Sequence, residues 1–535
     1  MKRQEKSETD RLSDLPDHLL LHIIQFMITK HGVQTCVLSR RWKNLWKRLT
    51  NINSHRHHFD QYNGVIFDKF VSQFLSGRDN SIPLHSISYR TNYEIPPKTN
   101  IPLELMEYAT SHNVQQLEIN TQIDNISNLE LPPSIFNCYS LTSLTLCLRD
   151  VDNHTTTIMF PKSFNLPALN TLTLGHFTFF TSDNGYAEPF STCNMLNKLV
   201  IVACKLQDDA QGLCIWNSKV SDLAIARINR DSNMHQVILC TPKLTSLGIN
   251  GIPTTFPAPS TCNLTLLEEL KFVCRYEDTD TMGEDINATN TISSKLLGLL
   301  PSIFNCASLT SLTLGLWDVH TTIMFPKSFN LPALNTLKLG NFTFFTSDNG
   351  YADPFSKCNM LNKLAIVACK LQDDAQGLCI SNSKVSNLVI STINPDSNIH
   401  QVILCTPKLT SLTINGIPPT FPAPSICNLT LLEELKFDCR NGDTYTMGED
   451  ILISWLHLLA KVDIISLSFK ILESTVNVLK NNGSMRAQLP SFAKVKSLVV
   501  EVPQCLDDEG LTEMVTYLLV AIGVSNERLT EMMRE

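Results

Sequence analysis

Several features common in enzymes, membrane proteins and secreted proteins are missing from this 535-residue sequence. No apolar run is long enough to span a bilayer. The best stretch, Leu511 to Val524, is too short and is broken by Glu513. The N-terminus, MKRQEKSETDRLSDLP, lacks an apolar signal core, so a reducing compartment, cytoplasmic or nuclear, is expected. No CxxC occurs among the 17 cysteines, which excludes zinc-ribbon and thioredoxin-type motifs. The cysteines therefore read as small buried hydrophobes. Neither a Gly-rich phosphate loop nor a GxSxG elbow is present. His18 and His22 have metal-ligand spacing, but Glu does not follow His18, so HExxH fails. The acidic stretch Asp278–Asp285 lacks the Glu that would complete a calcium loop. His55, His57 and His58 are read as part of an exposed linker, able to bind metal only weakly. No metal, cofactor or catalytic residue set is expected, so the sequence reads as non-enzymatic.

Charge is unevenly placed. Residues 1–60 hold 11 Lys+Arg against 6 Asp+Glu, a net of +5 within a chain of −8, so the remainder carries −13. An N-terminal piece with its own acidic partner fits this asymmetry. The main body has no basic stripe, which argues against nucleic acid as a ligand.

What is present is repetition. PSIFNCYSLTSLTL from Pro133 returns as PSIFNCASLTSLTL from Pro301, and the match extends from Pro133–Ile286 to Pro301–Ile451 with 22 substitutions. Fourteen of the cysteines are seven pairs of copies across this duplication. Within each copy runs a shorter LxxLxL motif, whose middle residue falls at 144, 172, 199, 223, 247 and 270. In the second copy it falls at 312, 337, 364, 388, 412 and 435. The closing LxL of each motif is strand alternation, with leucines inward and the intervening residue outward. A lone strand of this kind cannot bury its face, but stacked neighbours build a continuous core under a parallel sheet. The opposite side is expected to mix short helices with irregular loops. Weaker motifs flank the array at Val114, Ile464 and Val495.

None of the 18 ladder positions differs between copies, whereas four of the six intervening positions do: Thr173/Lys338, Val200/Ala365, Ala224/Val389 and Gly248/Thr413. That contrast suits ladder residues packed inside and intervening residues on an open concave face. Further differences sit just past the strands, at Arg149/Trp317, His176/Asn341 and Arg227/Thr392. Arg149, Thr173, Arg227, Trp317 and Lys338 are the candidate target-binding residues, because aromatic and Arg side chains anchor protein interfaces. Drift on an exposed surface explains the same differences equally well.

Residues 12–48 read as three short helices. Leu15, Leu19, Ile23 and Met27 recur every four residues, with Leu20 and Ile24 beside them. Pro16 suits a first turn, Ile28-Thr29-Lys30 breaks the helix, and Ser39 could cap a third helix carrying Trp42, Leu45 and Trp46. Some forty residues cannot bury this much apolar surface alone, so a partner or a neighbouring domain is implied.

The spacing of LxxLxL resembles the leucine-rich repeat family over residues 111–505. The run Leu15-Pro16, LLLHII, Val37-Leu38-Ser39-Arg40-Arg41-Trp42 and Leu45-Trp46 resembles the F-box of plant F-box/leucine-rich repeat proteins. Ile28 stands where many relatives have Pro. The C-terminal LPSFAKVKSLVVEVP resembles the FBD-bearing subgroup, with an incomplete closing segment. The resemblance implies an α/β chain. A three-helix F-box (residues 9–50) leads through a linker with irregular first repeats (51–110) to a first repeat copy (111–286). A joint (287–300) precedes the second copy with terminal repeats (301–505), and a helical cap (506–535) closes the chain. It also implies an adaptor of a Skp1–cullin–F-box ubiquitin ligase, with Skp1-type partners that are acidic. By family position, Leu15, Pro16, Ile23, Val33, Leu38 and Trp42 would contact Skp1 or hold the module together, while Leu20, Ile24, Val37 and Leu45 would be internal. The alternatives are a repeat scaffold acting without a ligase, or a plain helical cap on the array.

Overall fold

The computed structural model describes residues 12, 15–59, 64–91, 100–123, 126, 129–150, 157–162, 164–228, 237–251, 266–274, 303–316, 323–327, 329–347, 350–372, 375–391, 399–417, 421–426, 430–439, 448–481, 488–490, 492, 494–501 and 508–521. Two compact units divide between Asn263 and Leu264.

The first unit opens with helices α1 (Asp17–Gln25) and α2 (Thr29–Gln34), then 3-10 turns at Thr35–Val37 and Trp42–Arg48. A ladder of parallel strands follows: β1 (Asn51–His55), β2 (Ser86–Arg90), β3 (Gln116–Ile123), β4 (Ser143–Asp150), β5 (Thr171–Gly175), β6 (Lys198–Val202), β7 (Asp222–Ile228) and β8 (Ser246–Gly251). Helix α3 (Gly64–Gly77) connects β1 to β2, and α4 (Ile101–Ser111) connects β2 to β3. The expected linker region thus already carries strand–helix repeats. LTNINS and LHSISY place Leu49, Ile52 and Ser54, then Leu84, Ile87 and Tyr89, at buried ladder positions. Ser and Tyr closing the motif hide it from a search for leucines.

The second unit continues the pattern with β9 (Glu269–Cys274), β10 (Ser311–Leu316), β11 (Thr336–Gly340), β12 (Lys363–Val367), β13 (Asn387–Ser391), β14 (Ser411–Ile417), β15 (Glu434–Cys439), β16 (Ile464–Ser468) and β17 (Ser497–Glu501). Residues 287–300, the expected joint, lie outside the described residues. The strands either side of it pair directly, with Leu270 opposite Leu312. Helices α5 (Glu449–Leu459), α6 (Phe469–Asn481) and α7 (Asp508–Ala521) finish the unit. Leu518 and Leu519 of α7 share one apolar core with Ile465, Leu467 and Leu498 of the last strands.

Every ladder residue read from the twelve main motifs is buried, from Leu141 to Phe437. The motif near Ile464 is framed differently. Val462, Ile465 and Leu467 are the inward residues, and Ile464 is exposed. Pairing of Ile465 with Leu435 fixes that frame, since a two-residue slip would break the register with β15.

The far side of the duplicated region departs from the expected helices. Short parallel strands lie there instead: Phe177–Phe179 between Ile158–Met159 and Lys205–Leu206, and Gly212–Trp216 between Tyr186–Ala187 and Val237–Cys240. The sequences FTF, GLCIW and VILC are aromatic and β-branched, which favours strands over helix. Under them Phe160 meets Phe136, Phe164, Phe177 and Phe179 edge-on. Phe325 repeats this hub in the second copy with Phe304, Phe342 and Phe344. Offset edge-to-face pairs are the favoured aromatic geometry.

Twelve cysteines are free thiols among the described residues; seven are buried as expected, and Cys36, Cys147, Cys240, Cys379 and Cys405 are half-buried. Burial pushes the Cys204 and Cys369 thiols up to about 12, which leaves them protonated and unreactive. Each lies within reach of a carbonyl of the preceding repeat, Leu174 and Leu339.

One buried polar residue per copy ties repeats together. Asn217 Nδ2 donates to Phe190 O (3.1 Å) and Cys193 O (2.9 Å), while its Oδ1 accepts from Lys219 N (2.9 Å) and Val220 N (3.2 Å). Asn382 makes the matching four bonds. Removing the amide strands buried backbone groups, each costly when unpaired. Asn382→Ala is expected to lower stability by about 2–3 kcal/mol, and Asn217→Ala by a similar amount. Urea denaturation checks this, and an unshifted midpoint contradicts it.

Candidate functional site

Two surfaces carry the candidate residues: the N-terminal helical module and the outward face of the ladder.

In the module, Pro16 precedes α1 with an extended backbone (φ −60°, ψ 150°) and Ile28 does the same for α2. The helix break thus occurs where expected, without a proline. Leu20 and Ile24 are fully buried. Gly32 allows α2 to lie against α1, since a Cβ there would stand 2.9 Å from Ile24 Cγ2. Trp42 and Leu45 close the small core from the second 3-10 turn. That turn is a 3-10 segment, and it starts without a side-chain cap from Ser39. An ion pair of 2.6 Å, Arg41 Nε to Asp17 Oδ1, joins it to α1.

The six residues assigned by family position separate by environment. Pro16 and Leu38 are exposed, Leu15, Ile23 and Val33 are half-buried, and Trp42 is buried. Trp42 is therefore a core residue that holds the module together. Val37, expected to be internal, is 83% exposed, because the 3-10 turn at Thr35–Val37 rotates it outward. Phe26, at the end of α1, is 80% exposed and was missed. Its signal in the sequence is a large aromatic off the four-residue stripe. Phe26, Val37 and Leu38 with Leu19 and Met27 leave this small module with several exposed apolar side chains.

The module is bolted to the first repeats. Thr29, almost wholly buried, accepts the Asn53 N–H of β1 on its hydroxyl (2.7 Å). Arg78, after α3, is buried and donates from Nε to Leu49 O (3.0 Å) and from Nη2 to Ile82 O (2.8 Å) and Pro83 O (3.2 Å). Trp46 packs on Phe74 of α3 (centroids 5.4 Å apart), and Gly77 gives its ring room. Lys30 Nζ donates to His58 O (2.7 Å). The segment His55–His58 is consequently no exposed linker: His55 ends β1, and Arg56 is buried.

On the ladder, in-register pairing of the first unit lines up Asn53, Ser88, Glu118, Thr145, Thr173, Val200, Ala224 and Gly248. The row runs from polar residues beside the module to small apolar ones at its far end. Thr173 sits mid-row and is half-buried. Arg149 lies further along β4, opposite Gln122 of β3. A bulge between Ala226 and Ile228 takes Arg227 out of the pairing register of β7 with φ 54°, and its side chain is exposed. Lys338 belongs to the second unit's row, between Thr313 and Ala365, and is exposed. Trp317 lies outside the described residues. His176 and Asn341 both have left-handed backbones (φ 64° and 62°), a conformation Asn and His adopt more readily than most residues.

At the module end of this face, Ser88 Oγ donates to Glu118 Oε2 (2.7 Å) and lies 3.0 Å from His55 Nε2, while Arg90 pairs with Glu118 Oε1. Here the hydroxyl stands between imidazole and carboxylate. That is the wrong order for an activated serine, whose base must take its proton. No described helix is long and apolar enough to cross a membrane.

Trp42→Ala is expected to destabilise the protein by about 3–5 kcal/mol. Leu38→Ala should change stability by less than about 0.5 kcal/mol. Urea denaturation followed by circular dichroism separates them, and equal effects would overturn the assignment of Trp42 to the core.

The comparisons agree with this geometry. The family "F-box domain" matches residues 12–53, and "FBD-associated F-box protein At5g56370, LRR repeats" matches residues 104–255 and 284–416. From Arabidopsis thaliana, F-box/LRR-repeat protein 13 is 31% identical over 195 residues, 36% of this chain and 41% of that protein. F-box/LRR-repeat protein At1g55660 is 31% identical over 213 residues (38% and 54%). FBD-associated F-box protein At4g13985 is 27% identical over 251 residues (45% and 52%). The chain thus spans about half the length of the curated relatives it matches. With an F-box packed against a parallel leucine-rich ladder, and with the repeat family covering more than half of its length, this chain belongs to the plant F-box/leucine-rich repeat family of the FBD-associated type.

Proposed function

We propose that this chain is the substrate-recognition adaptor of a Skp1–cullin–F-box ubiquitin ligase. The module takes a Skp1-like protein on its exposed apolar side chains, and the outward face of the ladder takes a protein target. The observation that carries the reading is a helical module that buries Leu20, Ile24 and Trp42 yet leaves Phe26, Val37 and Leu38 in solvent. Apolar side chains exposed together on so small a unit are what a docking partner covers. The net charge of +5 on residues 1–60 complements an acidic partner and would speed its association. The chain's part in ubiquitin transfer is positional: a target held on the ladder meets the loaded enzyme at high effective concentration, and other subunits supply the chemistry. Polar and small outward rows, with Thr173, Arg149 and Arg227 in one unit and Lys338 in the other, give the face its recognition surface.

Pull-down of a Skp1-like protein by the full chain tests the reading. Val37→Asp with Leu38→Asp should weaken capture more than about tenfold while the circular dichroism spectrum is retained. A folded double variant that still captures Skp1 would contradict this docking face. Capture of Skp1 without a cullin would favour a scaffold that works without a ligase.

A further inference from the structure

The imidazoles at the start of the ladder form a cluster that adaptor function does not use. His55 closes β1, and His57 and His58 sit in the 3-10 turn Arg56–His58 that follows it. One ring nitrogen from each lies within 4.8 Å of the other two. The His57 and His58 rings stand 3.7 Å apart between centroids. We propose that His55, His57 and His58 bind a divalent transition-metal ion of the zinc class, in an open three-histidine site.

Three imidazoles select the ion by type. They suit zinc and its neighbours, whereas magnesium and calcium require oxygen ligands. Zinc with three protein ligands keeps a fourth position for water. Tetrahedral coordination at about 2.0–2.1 Å needs nitrogens roughly 3.4 Å apart. Closing from 4.8 Å takes a shift of about 1.4 Å, within the reach of side-chain rotation for the exposed His57.

A second, independent arrangement prepares His55 for this role. Ser88 gives its single hydroxyl proton to Glu118, whose carboxylate also holds Arg90. Toward His55 Nε2, at 3.0 Å, the same oxygen can only accept. His55 therefore carries its proton on Nε2 and keeps a lone pair on Nδ1. A metal-ligating histidine is ordinarily oriented in this way, by a hydrogen bond from its other nitrogen that leads to a carboxylate. Arg90 faces the site but is neutralised by Glu118, and Lys30 is engaged by the His58 carbonyl. Because Lys30 belongs to α2, a bound ion would also stiffen the seam between the module and the first repeat.

The test uses the full chain. It is equilibrated with zinc chloride, desalted and assayed for zinc by mass spectrometry, and its unfolding temperature is read with zinc and with EDTA. About one zinc per chain and a zinc-dependent rise in unfolding temperature are expected. Both should be lost in His57→Gln with His58→Gln. Zinc retained equally by that double variant would place the ion on thiols and overturn the proposal, as would no retention by the parent. If the double variant unfolds early in EDTA, Ser88→Ala serves instead. It keeps all three imidazoles and should bind zinc about tenfold more weakly. Unchanged binding there would refute the orienting chain. None of these readouts depends on Skp1 capture.

Discussion

Everything in this molecule depends on one constraint: a short strand with one apolar face cannot exist alone. Within each unit an LxxLxL strand buries its inward residues because in-register neighbours pair with it. Pairs such as Leu144 with Leu172 and Leu364 with Leu388 are therefore the repeating unit of stability. A one-residue slip would turn every leucine outward, and no inward position differs between the copies, whereas four of the six intervening positions do. The same constraint explains the ends. At the C-terminus α7 brings Leu518 and Leu519 against the apolar core of β16 and β17. At the N-terminus, β1 pairs on its ladder side with β2 and meets the F-box helices on its other contacts.

The F-box is thus part of the solenoid's first repeats and not a bead on a string. Buried polar groups make the join specific. Thr29 binds the β1 backbone, and Arg78 donates to four carbonyls, those of Leu49, Asp79, Ile82 and Pro83. Buried charge is expensive unless fully hydrogen-bonded, so such an arginine defines one geometry and penalises others. The proposed adaptor role needs that property. Rigid placement of a target relative to a docked ligase raises effective concentration only when the connection is short and stiff.

Much of this was legible in the sequence. The twelve main motifs fixed which residues face inward, and the buried cysteines followed from their copying between repeats. The F-box was readable from LP and VLSRRW, but its faces were not. Helical periodicity treats Thr35–Val37 as one more α-turn, whereas a 3-10 turn advances each residue by a different angle and carries Val37 outward. The first repeats were expected only as irregular ones within a linker, because Ser54 and Tyr89 close their motifs. The strands opposite the ladder were hidden because FTFF and VILC are apolar runs with no period that separates helix from strand. The hydrogen-bond chain from His55 through Ser88 to Glu118 joins residues about thirty positions apart, one from each of three successive strands. Only the register brings them together.

The central claim is that the F-box and the first repeats are one structural unit. Native-state hydrogen exchange tests it most directly, by comparing the amides of α1 and α2 with those of β1 and β2 in the full chain. The account predicts that both sets exchange with closely similar protection and lose it together when Arg78 is replaced by Met. F-box amides that exchange far faster than β1, with no response to Arg78→Met, would contradict it.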